Sequence, residues 1–256
     1  MKKYIMLTCI LLLVPLYGCT SDTQKALNNG FFIWMDGYCA AGLGEKNSVA
    51  LSFYYDSKYE TITDKDIVSI AFEDISQDVQ ISNFRVEDLE ISDHTYQGFS
   101  LTMDLDFHKK GLYKTDRLLI DLKNNQHCSL PIGNFTFDIG APADETLLDT
   151  WSSPVATSNA DNFAYDFKLV EDSTRINSIT YAENKNIQDS NGINSSGSII
   201  LSEAYHSPIK YIKPKIELIS QNHTQIVYSK IGCYCGAIDF SDDIIEVSKE
   251  YSKQNK

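Results

Sequence analysis

The sequence predicts an all-β chain of two antiparallel β-sandwich modules with a short C-terminal helix. Three observations carry that prediction. Apolar and polar residues alternate with a period of two over most of the chain, as in Val49, Leu51, Phe53 and Tyr55. The composition favours residues that fit a pleated surface, with 15 Tyr and 12 Phe, and long Ala–Leu–Glu stretches are absent. Clusters of Gly, Asn, Asp and Ser punctuate the alternating runs at intervals of about ten residues, the rhythm of short strands in a sandwich.

Taken in order, Phe31 to Met35 opens the folded part. The Asp36-Gly37 pair and the small residues of Cys39 to Gly44 predict a turn or loop. Gly42 and Gly44 lack the third glycine of a dinucleotide fingerprint and serve as turn residues. Strands follow at Val68, Ile70 and Phe72, at Leu101, Met103, Leu105 and Phe107, at Leu118, Ile120 and Leu122, and at Phe135, Phe137 and Ile139. Alternation of this kind means one wet and one buried face, the habit of antiparallel sheets. Residues 30–140 make the first module. In size and architecture alone it resembles an immunoglobulin-like domain, because no Cys…Trp…Cys framework accompanies it.

Residues 141–162 are rich in Gly, Ala, Pro and Ser without alternation, and predict a linker in which Trp151 packs against a flanking module. Residues 163–256 make the second module. Phe163, Tyr165, Phe167 and Leu169 form one stripe, and Ile179 with Tyr181 another. Glu183 to Gly197 is polar and predicts a long loop. Strands return at Ser198–Tyr205, Ile209–Leu218 and Gln225–Cys235; Pro214 splits the middle one or confines it to an edge. Ser241 caps a terminal helix, with Asp242 and Asp243 in its first turn and Lys249 and Lys253 toward its end.

The start of the chain has a different character. Lys2 and Lys3 precede an apolar run from Ile5 to Leu16, shorter than the roughly 20 residues that span a bilayer. It has the form of an export signal. Leu16-Tyr17-Gly18-Cys19 resembles the lipobox of bacterial lipoproteins, departing from it at Tyr17, where a small residue is usual. The resemblance implies that residues 1–18 are a signal peptide cut before Cys19. It also implies that Cys19 carries the lipid, that residues 19–29 are a tether, and that the protein sits on the outer face of a bacterial cell membrane. Two acyl chains suffice for stable anchoring. The net charge of −13 repels nucleic acid and anionic headgroups. The partners expected are the membrane, through the lipid on Cys19, and a protein or glycan ligand.

Four cysteines lie beyond the lipid-bearing one: Cys39, Cys128, Cys233 and Cys235. In an exported chain these read first as disulfides, with three connectivities open. Cys233 and Cys235 share one face of a strand, and neighbours two apart bond each other rarely. Long-range bridges from Cys233 and Cys235 to Cys39 and Cys128 are therefore expected. Buried free thiols are the second reading, and a thiolate metal site joined by His127 the third. That last reading suffers because structural zinc sites space their paired cysteines more widely.

Thr102, Asp104, Asp106 and His108 fall on one face of a predicted strand. Two carboxylates and an imidazole in line are candidates for a divalent cation or for acid–base chemistry, although a solvated strand face has the same pattern. Ser207-x-x-Lys210 has the spacing of a serine nucleophile motif, but its partner motifs are missing and its context is β. Asp189 to Gly192 reads as a turn, since Ile193 stands where a calcium ligand would be needed. Tyr54, Tyr55 and Tyr59 cluster near one turn, where tyrosines serve sheet faces or a contact surface. The sequence therefore predicts a membrane-anchored, extracytoplasmic, non-catalytic binding or envelope-structural module without a cofactor. The alternatives are a hydrolase or metal-dependent enzyme using Asp104, Asp106 and His108, and a thiol redox or metal sensor using Cys233 and Cys235.

Overall fold

The computed structural model describes residues 22–91, 95–123, 125–143, 147–171, 173–183, 185–188, 196–201, 204–220, 223–236 and 242–254. The lipobox with Cys19, the Asp189 turn and the capping residue Ser241 lie outside these residues.

The described residues are all-β with a helix at each end. Helix α1 (Asp22–Asn29) leads into β1 (Phe31–Phe32), β2 (Met35–Gly42) and β3 (Lys46–Asp56). Five further strands complete the first block: β4 (Ile67–Phe72), β5 (Val79–Asp88), β6 (Tyr96–Phe107), β7 (Gly111–Leu122) and β8 (His127–Gly140). Next come β9 (Leu148–Ser152), β10 (Ala156–Thr157), β11 (Asn162–Leu169), β12 (Thr174–Ala182), β13 (Lys185–Gln188) and β14 (Ser196–Ile200). The last strands are β15 (Ile209–Lys213), β16 (Lys215–Ser220), β17 (His223–Tyr228) and β18 (Cys233–Cys235), and helix α2 (Asp242–Gln254) ends the described chain.

The strands form four sheets. A four-stranded sheet runs β1-β3-β6-β5, and a seven-stranded sheet runs β10-β18-β15-β2-β8-β7-β4. The other two are β14-β11-β9 and β13-β12-β16-β17. The seven-stranded sheet takes strands from both sides of the expected linker. That linker itself contributes β9 and β10, and β10 pairs in parallel with β18. Pro214 falls between β15 and β16, which belong to different sheets.

The largest correction concerns β2. Its glycines and alanines predicted a loop, yet it is the central strand, buried at all eight positions. It runs parallel to β15 on one side and to β8 on the other. Parallel strands buried on both faces lose the alternation that marks a half-buried strand. Met35, Cys39 and Ala41 face one core, and Tyr38 and Ala40 face the other. Small residues are needed here, since a Cβ on Gly37 would come within 2.5 Å of the Phe135 ring. The carboxylate of Asp36, also buried, accepts from both nitrogens of Asn134 and from the backbone N–H of His206 and Ser207, so it ties β2 to β8 and to the loop before β15.

Helix α1 lies within the segment expected to be a tether. Residues 22–29 form a helix whose Ala26 and Leu27 are fully buried in the first core. Neighbours in the chain, they are both turned inward where the helix packs on β3 and β8. At the other end, α2 folds back on β1. Ser248 accepts from the Trp34 N–H at 3.0 Å, Trp34 stacks on Tyr251 with ring centroids 4.9 Å apart, and Ile245 enters the first core. Asp243 near the start and Lys253 at the end suit the helix dipole. Among the described residues no helix is long and apolar enough to cross a membrane.

Candidate functional site: a cleft at an open sheet edge

The candidate site arises where the four-stranded sheet runs out of partners. Strand β6 binds β3 along its whole length, whereas β1 covers only Phe53 and Tyr54 of its other edge. The Ile33 N–H extends that cover to the Ser52 carbonyl at 2.8 Å. One residue pair further, the Ala50 N–H donates to the Tyr234 hydroxyl at 2.7 Å. A side chain from β18 thus takes the place that a neighbouring strand would hold. In an antiparallel ladder alternate residues turn their backbone groups to opposite edges, so those of Lys46 and Ser48 point the same way as Ala50.

A cleft of about 780 Å³ opens between this edge and residues 230–234. Its polar wall carries Ser48 from β3, Asn83 from β5, and Asp104 and Asp106 from β6. Asp104 accepts from Ser48 Oγ and from Asn83 Nδ2, each at 3.1 Å. Across the cleft, Val155 and Ile231 form an apolar rim with more than half of each side chain in water. Tyr211 and Tyr234 close the floor with ring centroids 4.9 Å apart. Burial pushes the Tyr234 hydroxyl up to about 12, against the opposing effect of the Ala50 N–H. Asn47 Nδ2 donates to the Tyr211 hydroxyl at 3.3 Å and to Cys39 Sγ at 2.9 Å, fixing the floor to β2.

The sequence candidates divide on this frame. Asp104 and Asp106 both line the cleft. His108 lies beyond the end of β6, exposed, with Nε2 2.9 Å from Gln80 Oε1, so the three do not converge. Among the described residues no group of three or more His, Cys, Asp or Glu side chains is placed to hold a metal ion. His127, the suggested partner of Cys128 in a metal site, is exposed with Nδ1 2.6 Å from Asp121.

The disulfide expectation is corrected. Cys39, Cys128, Cys233 and Cys235 are free and buried. The reason is topological. Cys39 and Cys128 belong to the first core, while Cys233 and Cys235 face the second, and the seven-stranded sheet stands between them. Burial pushes the Cys39 thiol up to about 11, with Lys213 and Asn47 opposing. Burial also raises Cys128, whose S–H donates to Asn28 Oδ1 at 3.7 Å. Cys233 and Cys235 lie with sulfurs 3.8 Å apart, the Cys235 S–H donating to Cys233. That bond holds Cys233 below the ordinary thiol range and Cys235 well above it.

A second polar cleft of about 700 Å³ borders Asp138, Lys215 and Tyr228. There Asp138 pairs with Lys215 and accepts from the Tyr38 hydroxyl at 2.7 Å. Sequence reasoning had not singled out Tyr234, Tyr211 and Asn47. The one available signal was an aromatic residue placed between Cys233 and Cys235.

No protein family matches the sequence, and no curated protein matches it. Among solved structures, the chain is similar to murine CEACAM1b, with 7% identity over 80% of this chain and 99% of that one, at a TM-score of 0.22. A protein of unknown function from Porphyromonas gingivalis W83 gives 9% identity over 81% and 99%, at 0.24. The Bacteroides ovatus mixed-linkage glucan utilization locus protein SGBP-B, solved with a mixed-linkage heptasaccharide, gives 9% identity over 76% and 43%, at 0.19. The class is an all-β protein of sandwich construction, and likenesses of this size say nothing about what the chain binds.

Proposed function

We propose that the chain is an exported, lipid-anchored binding module without catalysis, held on the membrane through Cys19 and presenting the cleft beside β3 to a glycan. The observation that carries the binding reading is the two-sided chemistry of the cleft. Carboxylate, amide and hydroxyl groups of Asp104, Asp106, Asn83 and Ser48 face the apolar rim of Val155 and Ile231. Sugars offer hydroxyls on one side and C–H faces on the other, which this arrangement suits. The absence of catalysis is argued from Asp104, which is held by Ser48 and Asn83, and from His108, which is engaged outside the cleft. The anchor is argued from Leu16-Tyr17-Gly18-Cys19.

Two measurements test the reading. Cells fed a labelled fatty acid should label the protein, and Cys19→Ala should lose the label and leave the membrane fraction; an unlabelled wild type overturns the anchor. On a glycan array the purified protein should bind, and Asp104→Ala should weaken binding about tenfold or more. Binding to peptides and to no glycan would redirect the cleft to a protein ligand. Turnover of a bound sugar that is lost in Asp106→Asn would restore the enzyme alternative.

A further inference from the structure

Cys233-Tyr234-Cys235 joins the cleft to the second core. The two cysteines point into that core while Tyr234, between them, points back to the cleft and holds the Ala50 N–H. The sulfurs lie 3.8 Å apart, in van der Waals contact. Lys210 stands directly opposite Cys235 in the β15–β18 ladder and places positive charge beside the thiol pair. The strand is three residues long, and Gly236 follows it with φ +82°, so its C-terminal end is a turn, not a continuing ladder.

We infer that Cys233 and Cys235 are a reversible dithiol–disulfide pair whose oxidation repositions Tyr234 in the cleft wall. The oxidant is a disulfide from outside the chain, a small-molecule or a protein disulfide. Cys233 attacks one of its sulfurs and expels the other as a thiol. Cys235 then attacks Cys233 in the mixed disulfide and expels the second thiol. One S–S bond forms in the chain and one breaks in the oxidant; two electrons and the two thiol protons pass to the oxidant.

Strand geometry sets the character of the bond. Residues two apart on a strand have Cα atoms about 6.6 Å apart, at the upper limit for a disulfide. The bond therefore draws the flanking Cα atoms together, sharpens the pleat at Tyr234 and moves its ring. A strained bond is also easily reduced, which separates a regulatory disulfide from a structural one. Because both thiols are buried, exchange needs local opening of β18, and a three-residue strand whose outer neighbour β10 has only two residues is where such opening costs little. The consequence for ligand rests on the cleft being the binding surface; the thiol chemistry does not.

The test uses the full chain. The protein is incubated under native conditions with oxidised glutathione, then denatured, alkylated with iodoacetamide and digested with trypsin. The peptide from Ile231 to Lys249 contains both cysteines of the pair and no others. It should lose both labels and weigh two hydrogens less, the peptides with Cys39 and Cys128 should stay labelled, and reduced glutathione should restore both labels. A doubly labelled Ile231–Lys249 peptide after oxidation, a glutathione adduct that goes no further, or a bridge to Cys39 or Cys128 overturns the pair. The coupling is read by hydrogen–deuterium exchange at the Ala50 amide, which should lose protection on oxidation in the wild type and not in Cys233→Ser. An intramolecular disulfide with unchanged Ala50 protection would overturn the repositioning of Tyr234. Neither readout needs a glycan, so failure here and failure of the binding reading are told apart.

Discussion

The two cores of the molecule are built by different rules. The first gathers side chains from Ala26 to Ile139; from later in the chain the described residues add Ile209, Tyr211 and Ile245, with Tyr234 and Ile244 packed against it. The second runs from Phe163 to Cys235 but closes on Tyr38 and Ala40, which come from near the start of the first block. One is largely local in sequence; the other depends on a strand made more than a hundred residues earlier. Strand β2 is therefore a shared wall that closes both cores. A chain that reads as two β blocks in sequence thus has two cores that share one strand.

The strongest way to break this picture is at the joint itself. Gly133 lies on β8 with φ +108°, a conformation that L side chains rarely adopt, and a Cβ there would fall 1.8 Å from the Met35 carbonyl oxygen of β2. Gly133→Ala should cost about 3 kcal/mol or more through backbone strain and displacement of β2. Because β2 serves both cores, thermal unfolding followed by near-ultraviolet circular dichroism should show the loss in both. A variant that melts in two steps, with the second block intact, would mean that the wall is not shared.

Next in size is a matched pair of core truncations. Phe137 and Phe163 are fully buried, one in each core. Phe137→Ala and Phe163→Ala should each cost about 3–5 kcal/mol. Both should shift a single denaturant transition without splitting it. If Phe163→Ala lowers one of two separated transitions and leaves the other in place, the cores are independent domains.

How much of this was legible beforehand follows from the same comparison. Strands with one wet face announced themselves: Leu101, Met103, Leu105 and Phe107 alternate as a half-buried strand must, and all four are buried. Strand β2 did not, because a strand buried on both faces has no alternation to read, and Gly37, Ala40, Ala41 and Gly42 have the composition of a turn. Helix α1 was hidden in a polar segment, for it buries only the adjacent pair Ala26 and Leu27. The site was half legible. Asp104 and Asp106 stood out as carboxylates on one strand face, but their place beside Tyr234 depends on β18 reaching an edge of β3 that local patterning does not reveal. The disulfide expectation failed for a related reason. Cysteine counting cannot say on which side of a sheet a thiol lies, and Cys39 is divided from Cys233 by the sheet that carries both.

A smaller effect distinguishes the two faces of β2 by pH. The Cys39 thiol is held from its ordinary value of 9.0 up to about 11 by burial in the first core. Below pH 9 both folded and unfolded chains keep the proton, and stability is unaffected. Above pH 9 the unfolded chain ionises while the folded chain does not, so stability falls as pH rises toward 11. At pH 10.5 the loss from this group should reach about 2 kcal/mol. Urea midpoints at pH 8 and pH 10.5 should therefore differ less in Cys39→Ala than in the wild type. Equal pH dependence in the two proteins would show that the thiol is not sealed in the core.

The smallest effect belongs to the rim of the shared sheet, where Ser69, Asp121 and His127 sit in register across β4, β7 and β8. Ser69 Oγ donates to Asp121 at 2.5 Å and His127 Nδ1 lies 2.6 Å from its other oxygen. The Ser69 hydroxyl, and then His127, hold the Asp121 carboxyl below its usual range. The stabilisation is present above the ordinary carboxylate value and is lost as pH falls through the lowered one. These groups are largely in water, so Ser69→Ala should cost only a few tenths of a kcal/mol at pH 7, with the difference shrinking in acid below pH 4. Position explains the contrast with Phe137, which lies on β8 beside β2 and is fully buried. Asp121 faces solvent on strands that touch one core, whereas β2 is enclosed by two. If Ser69→Ala destabilised the protein as much as Phe137→Ala, the rim would matter as much as the strands beside the wall, and the ordering of the sheet from centre to edge would have to be abandoned.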